Sequence, residues 1–221
     1  MSSGSARDCT VDWDALEARS GLERRTRLLT IAFAALCHND ESILAASAER
    51  LQSCGDTAEV GRMLRELCLQ GIAYCGFPRA LHAMFVLGSF LDDDERSSPP
   101  VDRELRAQKG TTHFESIYGD KSEVLRSKIR ALEPEFESLV IEIAYGAILS
   151  RDGIDARTRE LLGVAGLSVL GHPAQLKSHA IGALRHGATT EELLEVLDTV
   201  KRVWPDTDIA ALRAAILAHV T

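Results

Sequence analysis

The residue types best suited to chemistry in this chain of 221 residues are its seven histidines and five cysteines. His172, His179 and His186 recur every seven residues. On a helix this spacing places successive side chains about 10 Å apart along the axis. A zinc ion has bonds of about 2 Å, so these side chains are too far apart to share one ion. We therefore expect no metal site.

The cysteines offer little redox chemistry by their spacing. They are Cys9, Cys37, Cys54, Cys68 and Cys75. They form no Cys-x-x-Cys pair and no zinc-binding pattern, and most lie in apolar stretches of helical character. Cys68 and Cys75 are seven residues apart, which is more typical of buried packing residues than of a redox pair. The pattern favours reduced thiols.

Arginines are concentrated around one predicted helix start. Arg151 lies in the preceding turn, and Arg157 and Arg159 flank the start after Asp155. Guanidinium groups bind carboxylates in a two-pronged geometry, so Arg151 is a candidate ligand for an acidic substrate. The alternative is a structural role, because the Arg-Thr-Arg triplet also occurs at residues 25–27.

The elements that must position these residues are predicted to be helices. Apolar residues recur at intervals of three and four, and the alternation typical of strands is absent. Hydrophobic residues make up 45% of the chain and aromatic residues 5%. These features predict an all-α protein.

The charge balance limits the class of partner. The chain has 33 acidic and 25 basic residues, a formal net charge of -8. Nucleic acids and anionic membranes would be repelled by this charge, which favours a small molecule or a protein as partner. No basic region followed by an apolar run opens the sequence, and no stretch resembles a membrane span, so we expect a cytoplasmic protein.

The predicted helices have recognisable ends. One runs over residues 22–38 and a second over residues 41–53, with Gly55 as a C-terminal glycine cap. Asp56 or Thr57 caps the third, which should break or kink at Gly76 and Pro78 and restart there. The charged stretch 91–104 contains prolines and predicts a linker. We expect a unit at 1–92, a linker at 93–109 and a second unit at 110–221.

An internal repeat supports this division. When residues 13–60 are aligned with residues 145–192 at an offset of 132, twelve of the 48 positions are identical. Chance would give roughly three identities. The shared residues include the Arg-Thr-Arg triplet and a Gly-x-Thr-x-Glu helix start. The sequence therefore predicts two tandem copies of one helical unit.

Five short motifs follow one another in the second copy. They are Tyr145-Gly146, Arg151 to Ile154, Thr158 to Leu161, Leu176 to His179 and Gly187 to Val196. In this order they resemble the carboxymuconolactone decarboxylase family. The resemblance covers roughly residues 110–200, including a leader at residues 113–120, and residues 72–83 of the first copy resemble the family's tail segment.

The resemblance implies an all-helical fold of the alkylhydroperoxidase D type. Such units assemble into trimers or hexamers with sites near unit interfaces, which for a two-unit chain implies a trimer of chains. It also implies decarboxylation in aromatic catabolism. That reaction requires no metal and no organic cofactor, because a conjugated carbonyl of the substrate accepts the electron pair.

The family's polar positions identify a candidate site in the second copy. The peroxidase branch has a Glu, a Cys-x-x-Cys pair and a His; the matching residues here are Glu160, His172, Gln175 and His179. Both thiols are missing, so the decarboxylase branch fits better. The first copy has Leu28, Asp40, Ile43 and Ser47 at these positions. We therefore expect one site per chain.

The resemblance gives His179 the role of proton donor, since imidazole titrates near neutral pH. Glu160 would orient or charge that imidazole from the preceding helix, or alternatively pair with an arginine of the first copy. The remaining candidates are substrate-binding residues, namely Arg151, Tyr145, His172 and Gln175 of the second copy and Tyr74, Arg79 and His82 of the tail segment.

Two departures from the family pattern affect the predicted substrate. Ile143 replaces a histidine before Ala144-Tyr145-Gly146, and Ala147 replaces an acidic residue. The predicted function is a cofactor-independent lyase acting on a small conjugated or β-keto carboxylic acid or lactone. The alternatives are a noncatalytic oligomeric binding or scaffold protein and, less favoured, a thiol peroxidase.

Overall fold

A computed structural model describes residues 11–91 and 98–220, and in those ranges it contains helices and no strand. The α-helices are α1 (Trp13–Glu17), α2 (Arg24–His38), α3 (Glu41–Leu51), α4 (Thr57–Val86), α5 (Arg106–Tyr118), α6 (Ser122–Leu132), α7 (Pro134–Leu139), α8 (Ala156–Leu170), α9 (Pro173–Arg185), α10 (Thr190–Val203) and α11 (Ala210–Val220). A π-helical segment, Val140–Leu149, continues α7. The described residues thus form the predicted all-α architecture.

The ends of α2 and α8 are set by equivalent local signals. Each helix starts after an acidic residue, Glu23 or Asp155, whose side chain accepts hydrogen bonds from backbone N–H groups of the first turn. Each ends before a residue in the left-handed conformation: Asn39 at φ 68° and Gly171 at φ 70°. That conformation reverses the chain tightly, so α3 and α9 fold back on their predecessors.

Two boundary predictions need correction. Gly55 is not the cap of α3, because α3 ends at Leu51 and Gln52 closes it in a right-handed conformation with its N–H bonded to the carbonyl of Ala48. Gly55 lies in the turn before Asp56, which caps α4 as predicted. The predicted linker ends earlier than residue 109, because α5 already begins at Arg106. Residues 92–97 of the linker region lie outside the described residues, and so does Cys9.

The predicted break in α4 is confirmed. Gly76 has φ 81° and ψ 169°, so the helix kinks there and resumes at Pro78. A positive φ of this kind is accessible to glycine at little cost. The kink separates Tyr74 and Cys75 from the exposed end of the helix.

The main core forms where α2 crosses α8, the two helices that carry Arg-Thr-Arg. A Cβ at Gly166 would lie 2.7 Å from Phe33 and 2.9 Å from the Cys37 sulfur, so the absence of a side chain allows this close crossing. Most residues of both helices are buried.

Two buried ion clusters flank this crossing. Arg159 donates to Glu66 at 3.0 Å and to Gln70 at 3.1 Å, and Arg151 donates to Glu66 at 2.8 Å. At the offset of 132, Arg27 and Arg19 donate in the same way to Glu195 of α10. Arg27 and Arg159 also bond the carbonyls of their preceding turns. Each cluster ties one half of the chain to the other.

A smaller core supports the segment that bears Tyr145. It contains Phe114 and Ile117 of α5 packed on Ile141, Tyr145 and Leu149 of the π-helical segment. A Cβ at Gly110 or Gly146 would overlap the backbone of the facing segment, so both glycines are required for this contact.

In the described part of the chain, no helix is long and apolar enough to cross a membrane.

Candidate active site

The centre of the candidate site is a hydrogen-bonded pair from α8 and α9. His179 donates through Nδ1 to Oε2 of Glu160 at 2.9 Å. Glu160 is 0% exposed and His179 is 7% exposed. Because α8 and α9 are antiparallel and joined by the tight turn at Gly171, residues 19 positions apart meet. A Cβ at Gly182 would collide with the Glu160 carboxylate, so this glycine leaves room for the pair.

Tyr74 of α4 brings a third polar group to this pair. Its hydroxyl lies 3.3 Å from Nδ1 and 3.5 Å from Nε2 of His179. Phe33 packs edge-on against the tyrosine ring at 5.2 Å between centroids, and a Cβ at Gly163 would lie 2.5 Å from the hydroxyl. Burial raises the pKa of Tyr74 well above its usual range, and the charge of Glu160 adds to this shift. The hydroxyl therefore remains protonated and can donate.

Two more tyrosines enclose the site from the smaller core. The hydroxyls of Tyr118 and Tyr145 are 3.1 Å apart, and Phe114 packs against both rings. Burial raises the pKa of Tyr145 well above its usual range, and Tyr118, Tyr74 and Glu160 contribute to the shift. The three tyrosines thus form a neutral, hydrogen-bonding wall beside the carboxylate.

His113 is a site residue that the sequence analysis did not identify. Its ring lies 6.1 Å from those of Tyr145 and His186, and Ser116 is 3.2 Å from Nε2 of His186. Burial lowers the pKa of His113 to about 4, against the opposing charge of Glu160. The sequence feature that could have identified His113 is the leader segment at residues 113–120. In that segment His113 lies on the same helical face as the apolar Phe114 and Ile117.

Two buried polar atoms of this region have no hydrogen-bond partner among the described residues. They are Oε1 of Glu160 and Nε2 of His113. A buried polar atom without a partner costs about 1–3 kcal/mol, more for a charged group. Such atoms are common where a ligand or substrate supplies the missing bond.

The structure brings together four of the predicted residues: His179, Glu160, Tyr74 and Tyr145. Arg151 is not among them, because Glu66 holds its guanidinium at 2.8 Å in the buried ion cluster. In this structure Arg151 therefore pairs within the protein, and its binding of substrate stays a prediction. The alternative pairing of Glu160 with an arginine of the first copy is not seen among the described residues. Arg19 and Arg27 of that copy pair with Glu195, whereas Glu160 accepts a hydrogen bond from His179.

The other four predicted ligands lie elsewhere in this chain. His172 and Gln175 are exposed at the start of α9. Arg79 donates to the carbonyl of Cys37, and His82 bonds Glu41 at 2.8 Å on the surface. The kink at Gly76 explains the last two positions, because it redirects α4 toward the α2–α3 turn immediately after Tyr74.

The match to a known family covers the part of the chain that supplies the central pair. Residues 134–218 match the Carboxymuconolactone decarboxylase family. This segment is less than half of the chain, and through it the chain is similar to the family. Glu160, His179 and Tyr145 lie inside the family segment, whereas Tyr74, His113 and Tyr118 lie before it.

Two relatives extend the comparison. Peroxisomal protein 2 of Schizosaccharomyces pombe is 24% identical over 188 residues, which are 81% of this chain and 86% of that protein. The 4-carboxymuconolactone decarboxylase of Acinetobacter baylyi is 29% identical over 96 residues, which are 42% of this chain and 71% of that protein. The first match thus reaches well beyond the family segment, and the second covers less than half of this chain.

Proposed function

We propose that the chain is a cofactor-independent lyase that removes a carboxylate from a small conjugated or β-keto acid or lactone. The observation that carries this proposal is the buried hydrogen bond between His179 and Glu160 with the Tyr74 hydroxyl beside it. The similarity of residues 134–218 to the carboxymuconolactone decarboxylase family and the similarity to the decarboxylase relative support it.

The proposed reaction requires one proton donor and one group that stabilises an anion. The bond between the substrate carbon and its carboxylate breaks, carbon dioxide leaves, and the electron pair delocalises into the conjugated carbonyl. His179, oriented through Nδ1 by Glu160, then donates the proton on Nε2 to carbon. Solvent restores that proton. The protonated Tyr74 hydroxyl donates a hydrogen bond to the developing anion.

We assign substrate entry to a groove along α5. It has a volume of about 430 Å³ and is lined by Leu105, Gln108, Lys109, Thr112, His113, Ser116 and Ser150. His113 joins the groove to the tyrosine wall. Lys109 would attract the substrate carboxylate, a role that the sequence analysis had given to Arg151.

A panel of carboxylated lactones and β-keto acids tests this proposal. Turnover is followed by loss of ultraviolet absorbance and by release of carbon dioxide. The parent protein should release carbon dioxide from at least one member of the panel. Absence of turnover across the panel, with His179 still inaccessible to histidine-modifying reagents, would replace the enzymatic proposal with the scaffold proposal.

A noncatalytic scaffold is the second candidate, and the burial of the site favours it. Glu160 and His179 are nearly inaccessible in the single chain, and the glycines beside them pack tightly. Substrate would reach them only if Tyr74 or the tyrosine wall moved. Binding without turnover is therefore the outcome that this candidate predicts.

A thiol peroxidase at the family position is the least favoured candidate. The two thiol positions are occupied by His172 and Gln175, which carry no sulfur. Titration of free thiols before and after peroxide treatment distinguishes this candidate from the lyase. The cytoplasmic location remains a prediction, and cell fractionation tests it against the location named for the Schizosaccharomyces pombe relative.

A further inference from the structure

A cavity of about 770 Å³ lies where the chain turns after α2 and after α8. Asp40 lines it from the first turn and Gly171 from the second, and the connection between α10 and α11 forms a third side. Among the described residues, its lining includes neither Glu160 nor His179. The cavity is therefore separate from the candidate active site.

One side of the cavity is aromatic and apolar. The ring of Trp204, which is 8% exposed, stacks on the exposed His38 at 5.5 Å between centroids and an angle of 26°. Val169 and Leu170 of α8 also line the cavity. Binding pockets for small molecules commonly have such walls, and their volumes are typically about 300–1,000 Å³. The cavity therefore suits a ligand with an apolar body.

The charged groups of the lining are acidic. Asp40, Asp206 and Asp208 contribute carboxylates, and no lysine or arginine occurs among the described lining residues. Asp40 accepts hydrogen bonds from neutral donors: the indole N–H of Trp204 at 3.2 Å, the hydroxyl of Ser42 at 2.9 Å and the backbone N–H of Ile43 at 3.2 Å. These contacts orient the carboxylate without neutralising it. The cavity therefore attracts positive charge.

We propose that this cavity binds a small organic cation, an ammonium group carried on an apolar body. The ammonium group lies among the three carboxylates and beside Trp204, the side chain that attracts cations most strongly through its ring. The apolar body packs on His38, Val169 and Leu170. The proposal is independent of the proposed lyase activity.

The connection between α10 and α11 is held in place before any ligand binds. Lys201 donates from Nζ to the carbonyls of Pro205 and Thr207, and the N–H of Thr207 donates to the carbonyl of Trp204 at 3.0 Å. Asp208 accepts a hydrogen bond at 3.1 Å from the backbone at the start of α11. A wall that is already ordered lowers the entropic cost of binding.

Three probes with the same apolar body and different charges test the proposal. They are 2-phenylethylammonium, 2-phenylethanol and phenylacetate, each titrated into the isotope-labelled full chain. The two tryptophans give two indole N–H signals in NMR spectra, and Trp204→Phe assigns them. Trp13 is the internal control, because it lies outside the cavity lining and faces the Arg50 guanidinium at 4.8 Å.

We expect the ammonium probe to shift the Trp204 signal with a dissociation constant of about 1 mM or tighter and to leave the Trp13 signal in place. The neutral probe should bind at least about tenfold more weakly, and the anionic probe more weakly still, because each carboxylate contributes about 1 kcal/mol even when exposed to water.

Removal of one carboxylate tests the contribution of charge. Asp40→Asn keeps a side chain that can cap α3 and accept from Trp204, so it should weaken binding of the ammonium probe by about fivefold or more without unfolding the chain. Asp56→Asn is the matched control, because Asp56 caps α4 and does not line the cavity. If Asp40→Asn does not fold, Asp208→Asn replaces it.

Three results would overturn the proposal. The first is a Trp204 signal that the ammonium probe leaves in place at about 10 mM, a concentration that would saturate a site of 1 mM affinity. The second is equal binding of the neutral and the charged probe. The third is equal affinity in the cavity variant and in Asp56→Asn.

Discussion

His113 is a partly buried histidine whose protonation opposes folding. Burial lowers its pKa from 6.5 to about 4, with His186 and His179 lowering it and Glu160 raising it. Between these two pH values the unfolded chain binds a proton that the folded chain does not. This group's contribution is therefore fully present above pH 6.5 and is lost as the pH falls toward 4.

We predict that protonation of His113 destabilises the folded protein at acidic pH. The substitution His113→Gln should remove this effect. The shift from 6.5 to about 4 corresponds to at most about 3 kcal/mol in the free energy of unfolding. In His113→Gln, the decline between pH 6.5 and 4.5 should be smaller than in the parent by most of that amount. Urea unfolding at several pH values measures it, and parallel curves for the two proteins would contradict the assignment.

The Tyr74 hydroxyl is expected to contribute to turnover without contributing much to stability. Its ring packs against Phe33, and that contact survives in Tyr74→Phe. The lost hydroxyl removes one donor to the developing anion, so the rate of carbon dioxide release should fall by roughly a hundred- to a thousandfold. Thermal unfolding should show a small change. A variant with the parent's rate would exclude the hydroxyl from the mechanism.

Single residues were predictable where a sequence motif fixes their position. The resemblance to the family predicted His179 and Glu160, and the structure pairs them. Arg151 was assigned to substrate because its partner, Glu66, is 85 positions away in the sequence, where no local pattern indicates a contact. His113 was missed because its role depends on the packing of α5 against a π-helical segment.

At the level of helices, the buried ion clusters hold α4 to α8 and α2 to α10. Glu66 is fully buried and receives both Arg151 and Arg159. Removal of this carboxylate leaves buried guanidinium charges without a counter-ion. That loss typically costs about 3–5 kcal/mol.

Glu66→Ala should therefore lower the free energy of unfolding by about 3–5 kcal/mol. The control is Glu123→Ala, since Glu123 pairs with Arg130 at 3.6 Å on the surface. Exposed pairs of this kind contribute about 0–1 kcal/mol. Urea unfolding compares the two variants. Equal small losses would show that the buried cluster does not stabilise the helix packing.

Helix ends were predictable where a side chain or a left-handed residue determines them. The end of α2 at His38 and the kink at Gly76 were both predicted from sequence. The end of α3 was placed two residues late because Gly55 resembles a cap, whereas Gln52 closes the helix without a left-handed residue. The π-helical segment carries no sequence signal that distinguishes it from an ordinary helix.

For the whole molecule, we propose that the chain consists of two related units in tandem. Twelve positions are identical at the offset of 132, and α2 and α8 begin and end at equivalent positions. In addition, arginines of each half pair with a glutamate of the other half: Arg27 with Glu195 and Arg159 with Glu66. The first unit has Leu28 and Ser47 where the second has Glu160 and His179. The Ser47 hydroxyl donates to the carbonyl of Ile43 in its own helix, which suits a structural role.

An exposed apolar face of α4 leads us to expect an assembly of chains. Phe77, Leu81 and Phe85 recur every four residues and are 69%, 56% and 74% exposed. Apolar faces of this kind commonly mark protein interfaces. We expect a trimer of chains, and the double substitution Phe77→Ser with Phe85→Ser should weaken it. Sedimentation velocity measures both proteins, and a monomeric parent would contradict the expectation.

The central claim is that decarboxylation of the substrate depends on His179 in the second unit. The most direct test is the rate of carbon dioxide release by His179→Ala on a substrate that the parent turns over, with Ser47→Ala as the matched control at the equivalent position. Loss of a general acid should lower the rate of His179→Ala by about a hundredfold to ten-thousandfold, while Ser47→Ala stays close to the parent. A His179→Ala protein as active as the parent would contradict the account.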